Sequence, residues 1–218
     1  VLLEKHTPET LLQTIAKYKA TQCYTAPTMY RQMAGLVGGY DLRSLRHPVS
    51  AGEALPDATR QLWRQATGIE LTDGIGGTEV IHIYIASAGP KVRRGSVGQV
   101  VPGYQAQIVD EQMRPVPPGT VGRLAVRGPT GCRYLDDVRQ KDYVKDGWNL
   151  PGDTFVMDED GYFRYQARND DMIISSGYNI AGPEVESALL LHEAVAECGV
   201  VGAPDDERGQ IVLAFVVL

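Results

Sequence analysis

Cysteine is scarce in this 218-residue chain, and the three that occur, Cys23, Cys132 and Cys198, are far apart and odd in number. Their separation excludes the CxxC pairs typical of zinc sites, and an odd set does not form a disulfide framework. Isolated thiols of this kind are typical of buried positions in a reducing compartment. We therefore expect a cytoplasmic location.

Long apolar runs and clusters of basic residues are also missing. No stretch approaches the length that crosses a bilayer, so we expect no membrane partner. The 21 Lys and Arg residues and 27 Asp and Glu residues are spread along the chain, and the net charge of −6 argues against a nucleic acid partner. Residues 1–6 lack an initiator methionine and a signal-peptide layout, and residues 211–218 read as an interrupted strand. We expect a fragment of a longer protein.

Helical and strand patterns alternate in residues 1–95. A capping hydroxyl, a proline and a first-turn acid at Thr7, Pro8 and Glu9 predict a helix start. Further helices are predicted to begin at Pro27 and Pro56, and short strands at residues 22–26, 48–51 and 69–72. Strands alternating with helices indicate βαβ units around a parallel sheet, and therefore an α/β fold.

The pattern changes twice further along the chain. Residues 96–167 contain short alternating runs separated by Pro/Gly turns, which favours a small antiparallel β subdomain like a distorted barrel. Residues 171–218 begin a small α+β domain, with a helix opened by Pro183 between strand-like runs. Residues 168–170 connect these two parts.

Three loops rich in acidic, hydroxyl and glycine residues each follow a predicted strand, at residues 50–54, 73–79 and 150–153. In open α/β sheets, ligands bind outside the carboxyl ends of the strands, so the position of these loops favours a binding role. Glycine clusters are most often simple turns, and each loop taken singly is weak evidence for a ligand.

A fourth segment, YQARNDDMIISSGYNIAGPEVE at residues 165–186, is far more specific. It resembles the adenylate-forming superfamily of acyl-CoA synthetases, luciferases and peptide-synthetase adenylation domains. The pattern of that family here is Gly-Arg-x-Asp-Asp-Met-Ile, a Ser-Gly-Tyr loop and Pro-x-Glu-x-Glu. The three earlier loops match its other core motifs in the same order, so the resemblance covers essentially the whole chain.

This resemblance implies part of a large α/β adenylation domain, a small antiparallel β subdomain and the start of a C-terminal α+β lid. It also implies a two-step reaction. A carboxylic acid and ATP, with Mg²⁺, form an acyl-adenylate and pyrophosphate, and coenzyme A then displaces AMP to give a thioester. The resemblance implies small-molecule partners and does not decide whether the protein forms an oligomer.

The resemblance also assigns residues to the nucleotide site: Gly52, Glu53, Ala54, Asp73, Gly74, Ile75, Asp153 and Arg168. The 52–54 strip packs along adenine, where absent side chains allow close backbone approach. Asp73 and Gly74 contact the adenine edge. Asp153 accepts the ribose hydroxyls, a suitable role for a carboxylate with two acceptor oxygens, and Arg168 binds ribose or phosphate.

Four further residues carry roles in the reaction by the same resemblance. Thr78 holds the α-phosphate, and Glu79 ligates Mg²⁺, a cation that prefers oxygen ligands and substrate phosphates. Asp170 is the hinge about which the C-terminal domain swings between the two half-reactions. Gly177 belongs to the loop that lines the coenzyme A tunnel.

His82 and Ile83 resemble the acyl-pocket pattern Gly-x-Thr-Glu-x-x-His-Ile of benzoate- and aminobenzoate-CoA ligases, and Ile75 replaces the tyrosine of many relatives as in that subgroup. An aromatic acid is therefore favoured. A medium-chain fatty acid stays open, because the upstream half of the acyl pocket is not in this sequence. A catalytically decayed nucleotide binder also stays open, because Pro151 stands where the family has Thr. The family's phosphate loop and C-terminal lysine are not within the chain, so we expect the isolated chain to be inactive.

Overall fold

A computed structural model describes residues 1–168, 171–176 and 178–218. The chain divides into two compact units, Val1–Gly76 with Ile85–Gly98 and Gly77–Tyr84 with Gln99–Leu218. Helices and sheets of both pairing types confirm the α/β class. The domain boundaries expected at residues 95, 167 and 170 stay a prediction.

The first unit alternates helices with strands. Its elements are α1 (Pro8–Tyr18), β1 (Gln22–Thr25), α2 (Pro27–Ala34), β2 (His47–Ser50), α3 (Asp57–Thr67), β3 (Thr72–Gly76) and most of β4 (Ile83–Ser87), with 3₁₀ turns at Val37–Gly39 and Gly89–Lys91. The strands lie in the order β1-β2-β3-β4, and the first two pairings are parallel. The predicted βαβ arrangement is present in this unit.

Local sequence explains where the first helix begins. The Thr7 side chain accepts from the backbone N–H of Thr10, whose own hydroxyl accepts from the Thr7 N–H, so α1 opens with a reciprocal capping box. Apolar faces of all three helices then pack into one core with β1, formed by Leu12, Ile15, Cys23, Tyr30, Met33, Ala34, Leu45, Trp63 and Leu71. The Tyr30 and Trp63 rings meet edge to face at 4.9 Å. This core supports the strand ends that carry candidate residues.

The second unit is dominated by antiparallel strands. After a 3₁₀ turn at Thr78–Val80, its elements are β5 (Gln99–Val100), β6 (Gln105–Val109), β7 (Val121–Arg127), α4 (Gln140–Tyr143), β8 (Val144–Lys145), β9 (Trp148–Asn149), β10 (Asp153–Met157), β11 (Phe163–Arg168), β12 (Ile173–Ser175), β13 (Tyr178–Ile180), α5 (Gly182–Leu189), β14 (Glu197–Asp205) and β15 (Gly209–Val217).

Two sheets organise this unit. One follows the order β11-β10-β7-β9-β8, with β6 also paired to β7, and the other follows β13-β12-β15-β14. Gly122 in β7 is required by packing, because a Cβ there would lie 2.7 Å from the Val109 carbonyl oxygen. In the first sheet, Phe155 packs edge-on against Phe163 and Tyr165.

One predicted strand was wrong in its bounds. Residues 69–72 were expected to be extended, with a loop following, whereas β3 runs over Thr72–Gly76. Asp73 pairs with Ser50 of β2, and this ladder keeps the glycine-rich segment extended. Among the described residues, no helix is both long and apolar enough to cross a membrane.

Candidate functional site

In the first unit, the candidate residues lie where the parallel strands end. Ser50 is the last residue of β2 and pairs with Asp73 of β3, so the 52–54 loop follows directly beside Asp73. The Glu53 carboxylate accepts a 2.9 Å hydrogen bond from the Thr28 hydroxyl, in the first turn of α2. Gly52 has a φ of 95°, which favours glycine. The structure therefore brings the two predicted adenine segments together at the carboxyl edge of this sheet.

Asp73 is a buried carboxyl group whose pKa is raised. Its residue is only 5% exposed, and burial raises the pKa of Asp73 to about 7, against the opposing charge of Arg60 and a hydrogen bond from the Gly74 backbone. Arg60, on α3, places Nη2 3.8 Å from Asp73 Oδ2 and Nη1 3.7 Å from Glu70 Oε1. Gly74 is buried and Ile75 half-buried within β3, while Gly52, Glu53 and Ala54 are exposed.

In the second unit, Thr78 and Glu79 open a 3₁₀ turn that ends at Val80. Thr78 is exposed and Glu79 is half-buried. Glu79 Oε1 accepts a 2.6 Å hydrogen bond from the Tyr134 hydroxyl, and its Oε2 lies 3.5 Å from the point that a Cβ on Gly77 would occupy. The turn therefore presents a hydroxyl and an oriented carboxylate side by side.

Asp153 and Arg168 form a cross-strand pair. They are directly opposite in the antiparallel β10–β11 ladder, and Arg168 Nη1 lies 3.9 Å from Asp153 Oδ1. The preceding residue, Gly152, has a φ of 88°, and a Cβ there would lie 3.2 Å from Arg168 Nη2. The glycine thus permits both the turn after Pro151 and the approach of the guanidinium to the carboxylate.

Three tyrosines near these acids were missed by sequence reasoning: Tyr84, Tyr134 and Tyr143. Burial is the largest influence that raises the pKa of Tyr84, and the charge of Asp153 is the next largest. The charge of Glu79 also raises this pKa, whereas the charge of Arg168 lowers it. Burial and Glu79 likewise raise the pKa of Tyr143. Within the described part of the chain, the buried hydroxyls of Tyr84 and Tyr143 have no hydrogen-bond partner. The charges of Glu79, Asp153 and Arg168 therefore all act on one tyrosine, Tyr84, which no spacing in the sequence could have indicated.

The remaining predicted residues are distributed as follows. His82 is exposed, with Nδ1 3.2 Å from the Ile83 carbonyl oxygen, and Ile83 is half-buried at the start of β4. Asp170 and Gly177 lie outside the described residues. Within those residues, no group of three or more His, Cys, Asp or Glu side chains could hold a metal ion.

Two family profiles match the chain. The AMP-binding enzyme family covers residues 1–134, and the AMP-binding enzyme C-terminal domain covers residues 184–218. The human protein "Acyl-coenzyme A synthetase ACSM5, mitochondrial" is 41% identical over 217 residues, which are 95% of this chain and 37% of that protein. The mouse protein "Acyl-coenzyme A synthetase ACSM3, mitochondrial" is 39% identical over 216 residues, with the same shares. The chain spans well under half the length of these relatives.

Two solved structures of similar fold are ligases named for aromatic acids. The anthranilate CoA ligase AuaEII in complex with anthranoyl-AMP is 38% identical, with a TM-score of 0.91 over 96% of this chain and 41% of that one. A benzoate CoA ligase from Burkholderia xenovorans LB400 is 32% identical, with a TM-score of 0.86 over 98% of this chain and 44% of that one.

These comparisons correct one expectation and confirm another. The expected cytoplasmic location is contradicted, because the similar mammalian proteins are named as mitochondrial. Separate thiols indicate a reducing compartment but do not distinguish one such compartment from another. The resemblance drawn from residues 165–186 is confirmed by the profiles and the solved structures. The chain belongs to the AMP-binding enzyme family.

Proposed function

We propose that this chain forms part of an ATP-dependent acid–CoA ligase and supplies adenine, ribose and metal contacts. The proposal is supported by family membership together with two sets of acidic residues, one in each unit. Asp73 lies beside the 52–54 loop at the carboxyl end of a parallel sheet. Glu79 and Asp153 both lie within electrostatic reach of Tyr84.

In the first half-reaction, a carboxylate oxygen attacks the α-phosphorus of ATP, and the bond to the β-phosphate breaks to release pyrophosphate. Thr78 orients an α-phosphate oxygen, while Asp153 accepts from the ribose hydroxyls and Arg168 contributes positive charge from the opposite strand. In the second half-reaction, the sulfur of coenzyme A attacks the acyl carbonyl and AMP leaves. Asp170 as the pivot and Gly177 in the coenzyme A tunnel stay predictions. The protein contributes placement and charge stabilisation.

The residues present fit a magnesium ion brought by the nucleotide. Glu79 offers a half-buried carboxylate with one oxygen already committed to Tyr134. Mg²⁺ is commonly held by one or two carboxylates with substrate phosphates and waters, so three protein ligands are not required. When bound, the ion supplies charge neutralisation at the phosphates.

An aromatic acid is the favoured substrate. Ile75 and the His82-Ile83 pair match the benzoate and aminobenzoate subgroup, and two solved structures of similar fold are ligases for anthranilate and benzoate. The exposed His82 ring next to half-buried Ile83 offers a polar group beside an apolar wall. A ring carrying a polar substituent suits that combination.

A medium-chain fatty acid is the second candidate. It is favoured by the relatives named acyl-coenzyme A synthetases, which are 39% and 41% identical to this chain. The same pocket wall accommodates an alkyl chain, because Ile83 presents only apolar atoms. His82 then distinguishes the two candidates, since an alkyl chain gains nothing from its imidazole.

The test is thioester formation with a panel of acids, using the longest protein that contains this chain. Benzoate, 2-aminobenzoate and a C6–C10 fatty acid series are supplied with ATP, Mg²⁺ and coenzyme A. The aromatic proposal predicts higher kcat/KM for the aromatic acids, and preference for the fatty acids would replace it with the second candidate. ATP binding by calorimetry without any thioester product would indicate a decayed nucleotide binder.

A matched pair of substitutions tests the nucleotide site itself. Asp153→Asn removes the charged acceptor proposed for ribose, and Glu159→Gln removes a carboxylate from the exposed turn after β10. Hydrogen bonds to charged groups contribute about 1.5–3 kcal/mol, so the first substitution should weaken ATP binding about tenfold or more. Equal Kd values for both variants would contradict the assignment. The 218-residue chain alone is expected to give no ATP–pyrophosphate exchange, and robust exchange would refute that expectation.

A further inference from the structure

Glu79 is held by a residue that lies far away in the sequence. The Tyr134 hydroxyl donates to Glu79 Oε1 at 2.6 Å, across 55 positions of the chain. Both residues are half-buried, so water competes only partly for the carboxylate. A hydrogen bond to an ionised acceptor is shorter and stronger than one between neutral groups.

The direction of this hydrogen bond is fixed at neutral pH. A tyrosine hydroxyl is protonated at neutral pH. The hydroxyl therefore keeps its proton and donates, and Oε1 of the carboxylate accepts. The other oxygen, Oε2, lies 3.5 Å from the point that a Cβ on Gly77 would occupy.

Tyr134 is itself anchored, so it can orient another group. Its backbone N–H donates to Gln140 Oε1 at 2.8 Å. Its ring lies 5.5 Å from that of Tyr143, and the Arg139 guanidinium stands 5.6 Å from its centroid. A donor restrained at both its backbone and its ring fixes the acceptor more closely than a mobile surface side chain would.

The same loop makes a second contact with the turn that carries Glu79. The Thr130 hydroxyl donates to the Val80 carbonyl oxygen and is in turn 2.6 Å from the Tyr104 hydroxyl. The next residue of the turn, Ile81, has a φ of 70° and is 72% exposed. A left-handed conformation is costly for a β-branched residue, and this conformation persists only where the surroundings of the residue impose it. Thr130 supplies one such restraint.

We propose that the 130–134 loop is a positioning element for Glu79. Tyr134 holds one carboxylate oxygen so that the other faces a divalent cation accompanying a nucleoside triphosphate, and Thr130 fixes the backbone beneath it. This inference rests on the proposed function, in which Glu79 binds that cation. Tyr134 and Thr130 are positioning residues and touch neither nucleotide nor metal.

The experiment measures the Mg²⁺ concentration that gives half-maximal ATP binding, by calorimetry, in the longest protein that contains this chain. Loss of an outer partner of a metal ligand typically weakens metal affinity about 10–100-fold, so Tyr134→Phe should raise this concentration about tenfold or more. Thr130→Val should raise this Mg²⁺ concentration as well. Thr130→Ser retains the hydroxyl and should leave the concentration at the value of the unsubstituted protein. Binding of AMP without metal should be unchanged in each variant. A substitution that acted only by disturbing the local structure would weaken AMP binding as well.

Tyr143→Phe is the matched control, because it deletes a buried neighbouring hydroxyl that has no hydrogen-bond partner among the described residues. Its Mg²⁺ requirement should equal that of the unsubstituted protein. If Glu79→Gln raises the requirement but Tyr134→Phe and Thr130→Val do not, the positioning role is refuted and the proposed function stands. If Glu79→Gln has no effect, or the unsubstituted protein binds ATP without metal dependence, the proposed function fails and this inference with it.

Discussion

Loss of the Arg60 guanidinium should destabilise the first unit, and should do so more at alkaline than at acid pH. The Arg60 side chain is 8% exposed and lies 3.8 Å from Asp73 and 3.7 Å from Glu70. Removing one partner of a buried ion pair leaves an uncompensated charge and costs about 3–5 kcal/mol. Arg60→Met retains the apolar part of the side chain, so the change isolates the charge.

The pH dependence follows from Asp73. Its pKa rises from the ordinary 3.8 to about 7 in the folded chain, so between these values the folded state binds more protons than the unfolded state. Stability therefore falls as pH rises through this window, by up to about 4 kcal/mol at 1.36 kcal/mol per unit. Without Arg60 the pKa rises further and the fall extends above pH 7. The loss caused by the substitution should be about 3–5 kcal/mol at pH 8.5 and at least about 1 kcal/mol smaller at pH 5.5.

Urea unfolding at both pH values measures these losses. A Trp148→Phe background leaves Trp63, on the same helix as Arg60, as the sole tryptophan reporter of the first unit. Arg64→Met is the control, because Arg64 is 67% exposed and contacts Glu70 at 3.3 Å, and exposed pairs contribute about 0–1 kcal/mol. The reasoning is refuted if Arg60→Met costs no more than Arg64→Met, or costs the same at both pH values.

Two further substitutions test the fold. Gly98→Ala should lower the free energy of unfolding by at least about 2 kcal/mol, because the φ of Gly98 is 134° and the new Cβ would overlap the Ala86 carbonyl oxygen. Gly39→Ala is the control, since Gly39 has open space around it, and it should change stability in urea far less. Equal losses of stability in the two variants would contradict the argument. Thr7→Ala removes a capping box shared with Thr10 and should cost about 1 kcal/mol in thermal or urea unfolding, whereas no measurable loss would show that the cap contributes nothing.

Signals confined to neighbouring residues were read correctly from the sequence. Thr7 before Pro8 gave the start of the first helix, and the structure places its cap at Thr7. The strand expected at residues 69–72 was wrong because its position depends on a partner. Glycines at the end of β3 read as a turn, yet pairing with β2 keeps them extended. A local pattern cannot report which distant strand will supply the ladder.

The candidate site shows the same difference between local and distant signals. The acids that the family's pattern assigns to ligand binding could be named from the sequence, because each lies in a motif of consecutive residues. The groups that hold those acids were not found, because Tyr134 is 55 positions from Glu79 and Arg60 acts from a neighbouring helix. Nothing in a single sequence links such partners, since their proximity arises only when the loops and helices pack.

These hidden partners determine what the acids can do. If Asp73 contacts the adenine edge as proposed, a pKa of about 7 means that it exists in both protonation states near neutral pH. A carboxylate only accepts hydrogen bonds, whereas the protonated acid also donates one. Adenine presents both a donor amine and acceptor nitrogens, so the protonation state selects which of these atoms Asp73 pairs with. Because Arg60 opposes the rise in that pKa, the proposal gives Arg60 an influence on nucleotide recognition without contact with the nucleotide, just as Tyr134 is proposed to influence the metal through Glu79.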